Sequence, residues 1–458
     1  MGLYSYYRIS KPSSETVPEE KVDKIYKEKR NRTFWGVTVA YSLYYVCRMS
    51  LSVVKQPLID DGILTAGQLG IIGSALLFVY AVGKFMNGFI ADYCNIRRFM
   101  ATGLFISAVV NLVMGLLGLL NSLAGLPTML IFISFAILWG INGWTQSMGS
   151  PPGVISLSRW FPQSKRGTFY SIFSSTPYIG EFLSFIFTGA VVGAFGWIYG
   201  FIVAALAGVV GTLVILIFVN DTPESCGLPS VQTLSKEQLT KEDRMSTKEL
   251  QKRIIRHPGL WIIAISSAFI YITKYAVAGW GVLFLQKAKE FSLEQATQII
   301  AFSAAFGVVG TVLAGWLSDR VFHSDRVKPA IISGLLGTIS LAMFLFSGGG
   351  YMLNIFYVSL FSLAVGVLYC IVAGLMAVDI VPRKATGAAL GVVGISSYLA
   401  AGLQDITSGY LIQYNTVTID GADIYNFGPV SWFWVAASLV AFILPVVNWR
   451  QMQKNRIV

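Results

Sequence analysis

Five ionisable side chains interrupt long apolar stretches of this sequence: Arg48, Lys84, Glu181, Lys274 and Asp405. A charged residue at the centre of a membrane-spanning segment costs about 2.5–3.5 kcal/mol on insertion scales, so each of the five marks a functional site by default. Arginine offers a planar fork of donors that matches phosphate oxygens, and lysine offers a point charge. The residue types therefore predict a site for a small anion inside an apolar protein.

These charges recur at related places in the two halves of the chain. Arg48 and Lys274 lie in the first apolar segment of each half, and Glu181 and Asp405 lie in the fifth. Two cations that face each other across a pseudo-twofold cavity would suit a doubly charged anion. The alternative is that the two cations only form ion pairs with the two acids inside the helix bundle.

Tyrosines accompany the two cations at helical spacing. Residues three, four or seven apart share one face of a helix, so these rings should lie beside the charges. Aromatic walls with hydroxyl groups would suit a sugar or polyol, and ordinary helix packing is the simpler explanation for each ring. The predicted substrate-binding residues are Arg48, Lys84, Lys274, Tyr41, Tyr44, Tyr45, Gln146, Glu181, Tyr271, Tyr398 and Asp405.

Membrane helices must position these residues, because 55% of the 458 residues are hydrophobic and only 12% are charged. Charged residues make up about a quarter of a soluble domain. Continuous apolar runs of about twenty residues predict transmembrane helices and argue against a β-barrel, whose strands alternate. The twelve predicted spans are 34–54, 67–91, 99–120, 127–149, 167–191, 196–219, 258–284, 293–317, 328–347, 352–377, 386–413 and 430–449.

The distribution of basic residues predicts the topology. Of the 34 Lys and Arg residues, only Lys55, Lys287 and Lys289 fall on one side of the predicted membrane, and nearly all the others fall on the side of both termini. By the positive-inside rule both termini are cytoplasmic. The net charge of +11 is then loop charge against a lipid bilayer, and no nucleic-acid partner is expected.

Two copies of a short motif divide the chain into two six-helix bundles. Gly88 and Asp92 end the second span, and Gly315 and Asp319 end the eighth, each followed by basic residues. The glycine allows close helix approach, and the motif is predicted to act in conformational switching. The predicted organisation is a cytoplasmic tail (1–33), a first bundle (34–219), a cytoplasmic linker (220–257), a second bundle (258–449) and a cytoplasmic C-terminal tail (450–458).

These motifs resemble the major facilitator superfamily and, within it, the organophosphate:phosphate antiporters. The resemblance spans nearly the whole chain. It implies two bundles that rock about a midplane site and exchange inorganic phosphate for a phosphorylated metabolite. It also implies that Arg48 and Lys274 hold the phosphate and that Lys84 matches a second-helix lysine of the family. The segments that carry the resemblance are 41–48, 83–92, 146–152, 159–167, 221–229 and 382–387.

The departures from glycerol-phosphate members favour a hexose phosphate such as glucose 6-phosphate. Lys274 stands where those members have arginine, and Met49, Pro177, Gly279 and Ala304 stand where they carry polar or charged residues. Two alternatives remain open. One is a transporter-like receptor that detects external sugar phosphate and signals to a membrane kinase. The other is a proton-coupled carrier of another organic anion, with Glu181 or Asp405 as the proton site.

Enzymatic function is not expected. The sequence has only two histidines and shows no Walker motif, nucleophile triad or cluster of Cys and His with metal-ligand spacing. No cofactor or metal is predicted. With no targeting segment visible, a multi-pass protein of a bacterial inner membrane is expected.

Overall fold

A computed structural model describes residues 6–91, 94–162, 169, 172–231, 256–316, 321–322, 326–377, 386–419 and 422–454. Eleven of its helices are long and apolar enough to cross a membrane. Another helix, Thr386–Tyr414, has 29 residues and takes the eleventh place in the order. The predicted all-α membrane fold with twelve spans is confirmed.

The twelve long helices are named α1 to α12 in chain order. They are α1 (Glu19–Asp60), α2 (Ala66–Ala91), α3 (Ile96–Ala124), α4 (Thr128–Trp160), α5 (Ile172–Phe195), α6 (Trp197–Phe218), α7 (Pro258–Lys289), α8 (Leu293–Trp316), α9 (Val327–Phe346), α10 (Tyr351–Met376), α11 (Thr386–Tyr414) and α12 (Gly428–Lys454). Helix α4 has a turn at residues 147–149. Wide π-helical turns occur in α5 at Ser184–Thr188 and at the end of α10 at Tyr369–Met376.

Two features differ from the sequence expectations. Helix α1 extends well beyond both ends of the predicted span 34–54, because charged helix-forming residues continue it at its start and the chain does not turn until Asp61. Lys55 is therefore inside a helix and buried, not in a loop. A small antiparallel hairpin, β1 (Thr416–Ile419) with β2 (Ala422–Tyr425), joins α11 to α12 and was not expected from the sequence.

Helix packing follows the pseudo-twofold relation of the two halves. Helix α1 packs against α5 and α6, and α3 packs against α4 and α6. In the second half α7 packs against α11 and α12, and α8 against α10. The two halves meet through α2 with α11, α5 with α8, and α1 with α7. The division into two bundles with a linker stays a proposal, as does the cytoplasmic position of the termini.

Glycine allows the closest helix crossings. A Cβ atom on Gly143 of α4 would overlap the backbone of Leu76 in α2, and one on Gly310 of α8 would overlap the backbone of Leu363 in α10. Small residues let membrane helices approach until their backbones touch. These two glycines therefore allow direct backbone contact between α2 and α4 and between α8 and α10. Gly88 and Gly315 lie in the last turns of α2 and α8, and Asp92 and Asp319 lie outside the described residues.

Asp221 ties together the segments at one end of the protein. Its carboxylate accepts hydrogen bonds from the backbone N–H groups of Ser10 (2.8 Å) and Ile96 (3.0 Å). It also forms an ion pair with the Arg159 guanidinium at 2.6 Å. The acid lies at the N-terminus of α3, where the helix dipole favours negative charge. Asp221 therefore connects the N-terminal segment, the start of α3 and the end of α4.

Asp221→Asn should destabilise the protein by about 3 kcal/mol, because it removes the buried negative charge that pairs with Arg159 and accepts from two backbone N–H groups. Thermal unfolding of the detergent-solubilised protein would measure this as a lower midpoint. Asp60→Asn is the matched control, since Asp60 is 47% exposed in its pair with Lys287 and such pairs contribute at most about 1 kcal/mol. Equal midpoints for the two variants would contradict the role of Asp221.

Candidate anion-binding site

Arg48 lies in the middle of α1 and is only 4% exposed. Four tyrosine rings surround its guanidinium, with the carbon Cζ 4.3 Å from the ring centre of Tyr80 and 5.3 Å from those of Tyr45 and Tyr398. The Tyr275 ring lies at 5.7 Å. The rings come from α1, α2, α7 and α11, so four helices of both halves build this aromatic cage.

The guanidinium lacks a hydrogen-bond acceptor. None of its three nitrogen atoms has a hydrogen-bond partner among the described residues. Aromatic faces attract the cation, worth about 2 kcal/mol when desolvated, but they leave the N–H donors unsatisfied. A buried donor without a partner is costly. The Arg48 cage is therefore suited to an anion that accepts several hydrogen bonds at once.

Lys84 lies close to the same cage. Its ammonium nitrogen is 5.1 Å from the ring centre of Tyr398, the ring that also faces Arg48. Lys84 is on α2 and Tyr398 on α11, where these two helices pack together. Two cations beside one ring make this region positively charged, and contact of Lys84 with substrate stays a prediction.

Lys274 is paired with an acid in this conformation. Its ammonium nitrogen lies 3.3 Å from Oε1 of Glu181, a contact between α7 and α5 whose geometry falls short of a hydrogen bond. The nitrogen also lies 4.1 Å from the ring centre of Tyr178. The pairing alternative thus describes Lys274 here, whereas no described carboxylate pairs with Arg48.

Asp405 pairs with a lysine that the sequence analysis placed outside the membrane. Lys55 Nζ lies 3.1 Å from Asp405 Oδ1, and both side chains are buried. The indole N–H of Trp280 donates to the same oxygen atom at 2.5 Å. Lys55 follows Arg48 by seven residues and so lies on the same face of α1. The seven-residue spacing from Arg48 is therefore the sequence feature that would have identified Lys55 as a neighbour of the site.

The other predicted residues divide into two groups. Tyr41, Tyr45, Tyr271 and Tyr398 belong to one continuous set of aromatic contacts around the cations. The Tyr44 ring touches this set at Tyr41, with the ring centres 5.8 Å apart, but the polar groups of Tyr44 and Gln146 form hydrogen bonds elsewhere. The Tyr44 hydroxyl donates to the carbonyl of Met100, and the Gln146 amide donates to the Tyr44 carbonyl and to Ser107. These two residues hold α1, α3 and α4 together.

Sequence reasoning missed Tyr80, Tyr275, Tyr178 and Tyr369, whose rings all face a cation. For two of them the sequence position relative to a lysine indicates this proximity. Tyr80 precedes Lys84 by four residues on one helix face, and Tyr275 directly follows Lys274. The other two come from α5 and α10, and only the packing of helices from both halves brings them to Lys274.

Two neighbouring cavities hold these groups. The first has a volume of about 40 Å³ and extends from Arg48 to the Lys55–Asp405 pair. The second has a volume of about 20 Å³ and contains Lys274 and Glu181. Ala278 of α7 lines both cavities. A phosphate held by Arg48 and Lys274 together would need the two cavities to join, so that joint contact stays a prediction.

The fold is that of a secondary transporter, and comparisons with known proteins agree. Residues 37–404 match the family model of the Major Facilitator Superfamily. A bacterial homologue of the human lysosomal transporter Spinster has the same fold, with a TM-score of 0.73 and 18% identity over 94% of this chain and 99% of that one. The chain belongs to the Major Facilitator Superfamily.

Several similar proteins are named as transporters of phosphorylated metabolites, and one as a membrane sensor. The glycerol-3-phosphate transporter of Bacillus subtilis is 31% identical over 85% of this chain and 87% of its own. A probable hexose phosphate transport protein of Chlamydia pneumoniae is 29% identical over 98% of both chains. The membrane sensor protein UhpC of Salmonella typhimurium is 28% identical over 84% of this chain and 86% of its own. The relatives are membrane proteins of bacteria, not enzymes, and fit the organophosphate:phosphate antiporter family.

Arg48→Lys should weaken binding of inorganic phosphate nearly as much as Arg48→Ala, because lysine keeps the charge and loses the fork. Removing one partner of a buried charge pair costs at least about 2 kcal/mol, so both variants should lose at least about thirtyfold in affinity. Equilibrium binding of labelled phosphate to the purified protein measures this. Arg98→Lys at the exposed start of α3 is the control. Wild-type affinity in Arg48→Lys would show that the fork is not used.

Proposed function

We propose that this protein exchanges a phosphorylated sugar or polyol, with glucose 6-phosphate as the best candidate, for inorganic phosphate across a bacterial inner membrane. The observation that carries the proposal is the buried Arg48 guanidinium without a described acceptor. A phosphate group supplies three or more acceptor oxygens to a planar fork of donors. The names of the relatives support the same substrate class.

Both exchanged molecules would use the same two cations. Arg48 binds the phosphate group first, and Lys274 leaves Glu181 to complete the contact when the cavities join. The lysine remains compensated during this exchange of anionic partners, and the buried Glu181 carboxylate must then be solvated or protonated. Lys84 adds positive potential at the cage. The tyrosines around the cations contact the organic part of the substrate.

Obligatory exchange follows from the charge of the empty site. Two unit charges about 6 Å apart repel by roughly 3 kcal/mol at an effective dielectric constant near 20. Occlusion of the empty carrier brings Arg48 and Lys274 together, whereas a bound phosphate dianion makes the same approach favourable. A ligand shifts an equilibrium only by its differential affinity for the states, and here the occluded state gains both contacts. The Glu181 contact reduces the repulsion without removing it.

Counterflow in proteoliposomes tests the proposal. Labelled phosphate should leave loaded vesicles slowly into plain buffer and at least about tenfold faster into buffer that contains glucose 6-phosphate, which is a barrier difference of about 1.4 kcal/mol. Vesicles that contain the Arg48→Ala protein give the background rate of phosphate leakage. The measurement is repeated with a protonophore.

Each alternative gives a different result in that assay. Equal efflux with and without counter-substrate contradicts obligatory exchange. Faster efflux into plain buffer when the protonophore is present favours the proton-coupled carrier, because the protonophore dissipates the gradient that coupled proton movement builds. Tight binding of glucose 6-phosphate with no efflux above the Arg48→Ala level favours the receptor, the function that the name of the sensor relative suggests.

A further inference from the structure

A buried ion pair joins helices that belong to different halves of the chain. Lys55 is on α1 and Asp405 is on α11, and their side chains are only 2% and 10% exposed. The Lys55 ammonium also lies 3.5 Å from the ring centre of Trp280 on α7. The Trp280 indole donates to the carboxylate oxygen that Lys55 contacts. Both charges are therefore compensated although both are removed from solvent.

Glycine provides the space for the carboxylate. A Cβ atom on Gly73 of α2 would overlap Oδ2 of Asp405, and one on Gly70 would lie 2.6 Å from the Asp405 backbone oxygen. A Cβ atom on Gly279 of α7 would lie 3.8 Å from both the ammonium and the carboxylate. Helices α2 and α7 thus fit closely around the pair, and α2 packs directly against α11 there.

The pair lies between the anion site and one end of the protein. It forms the far wall of the cavity that begins at Arg48, about 10 Å away along α1 by the helix rise. Beyond it, the α1 end pairs with α7 through Asp60 and Lys287 at 2.7 Å, and the Gly67 N–H donates to Gln413 of α11. These contacts also join the two halves at the Asp60 end of the protein, defined as the end where α1 finishes.

We propose that Lys55, Asp405 and Trp280 form the gate that closes this end of the substrate cavity, and that the ion pair must separate whenever the carrier opens there. The inference rests on alternating access in the proposed function. Separation is possible because opening admits water that solvates both charges. Removing one charge leaves the other buried and uncompensated in the closed state, which raises the energy of that state alone.

Accessibility of a cysteine behind the gate tests this directly. Ser52 lines the cavity between Arg48 and Lys55, so Ser52→Cys should react slowly with a membrane-impermeant maleimide added from the Asp60 side of right-side-out vesicles. Adding Lys55→Gln should make labelling at least about tenfold faster, equivalent to about 1.4 kcal/mol. The natural cysteines, Cys47, Cys94, Cys226 and Cys370, give the background, which is measured on protein without Ser52→Cys.

Two controls accompany the measurement. Lys287→Gln removes the exposed pair at the same end and should change labelling less than about twofold, because exposed pairs contribute little. Ala124→Cys, on the exposed end of α3, should label promptly and confirms that the reagent reaches this side. Gly73→Ala keeps both charges and displaces the carboxylate, so it should also speed labelling of Ser52→Cys and serves if Lys55→Gln does not fold.

Slow labelling in both Lys55→Gln and Gly73→Ala, with prompt labelling of Ala124→Cys, would overturn the gate. Acceleration by Lys287→Gln as large as that by Lys55→Gln would overturn it too, since any loss of charge at this end would then have the same effect. Labelling requires neither phosphate nor transport. If the protein fails the counterflow test but Lys55→Gln still speeds labelling, the gate is supported and only the proposed exchange is contradicted.

Discussion

Compensation of buried charge is the constraint on which this structure depends. A cation removed from water needs an anion, hydrogen-bond acceptors or aromatic faces around it. Lys55 has a carboxylate and an indole ring, and Lys274 has a carboxylate and a phenol ring. Arg48 has only rings among the described residues. The least compensated cation is thus the one most suited to receive an external anion.

The incompletely compensated charge of Arg48 lies where helices of both halves meet. Rings from α1 and α2 meet rings from α7 and α11 around one guanidinium. An anion at Arg48 therefore changes the electrostatics of both halves at once. The two acids, Glu181 and Asp405, each pair with a lysine on a helix of the other half. Ion pairs of this kind bias the relative position of the halves.

The sequence predicts the span count, the repeat and the five intramembrane charges, because apolar length and isolated charge are local signals. It does not predict the pairing. Asp405 was a candidate partner of Arg48 or Lys274, and its partner is Lys55. Lys55 was missed because hydropathy falls before α1 ends, although the helix continues to Asp60. Contacts between the halves depend on helix packing, which one sequence does not encode in any local pattern. The roles of the predicted site residues in binding remain predictions.

Helix α1 has a mechanical consequence for the transport cycle. It is one unbroken helix of 42 residues, about 63 Å long. Near its start the Tyr26 hydroxyl donates to the Trp160 carbonyl at the end of α4, and near its other end it carries Lys55. Arg48 lies about 33 Å from Tyr26 and about 10 Å from Lys55. The two arms of the helix on either side of Arg48 are therefore unequal. A tilt about Arg48 that shifts Lys55 by about 1 Å would move Tyr26 by about 3 Å the opposite way, so a small displacement at one end of the helix would be amplified at the other.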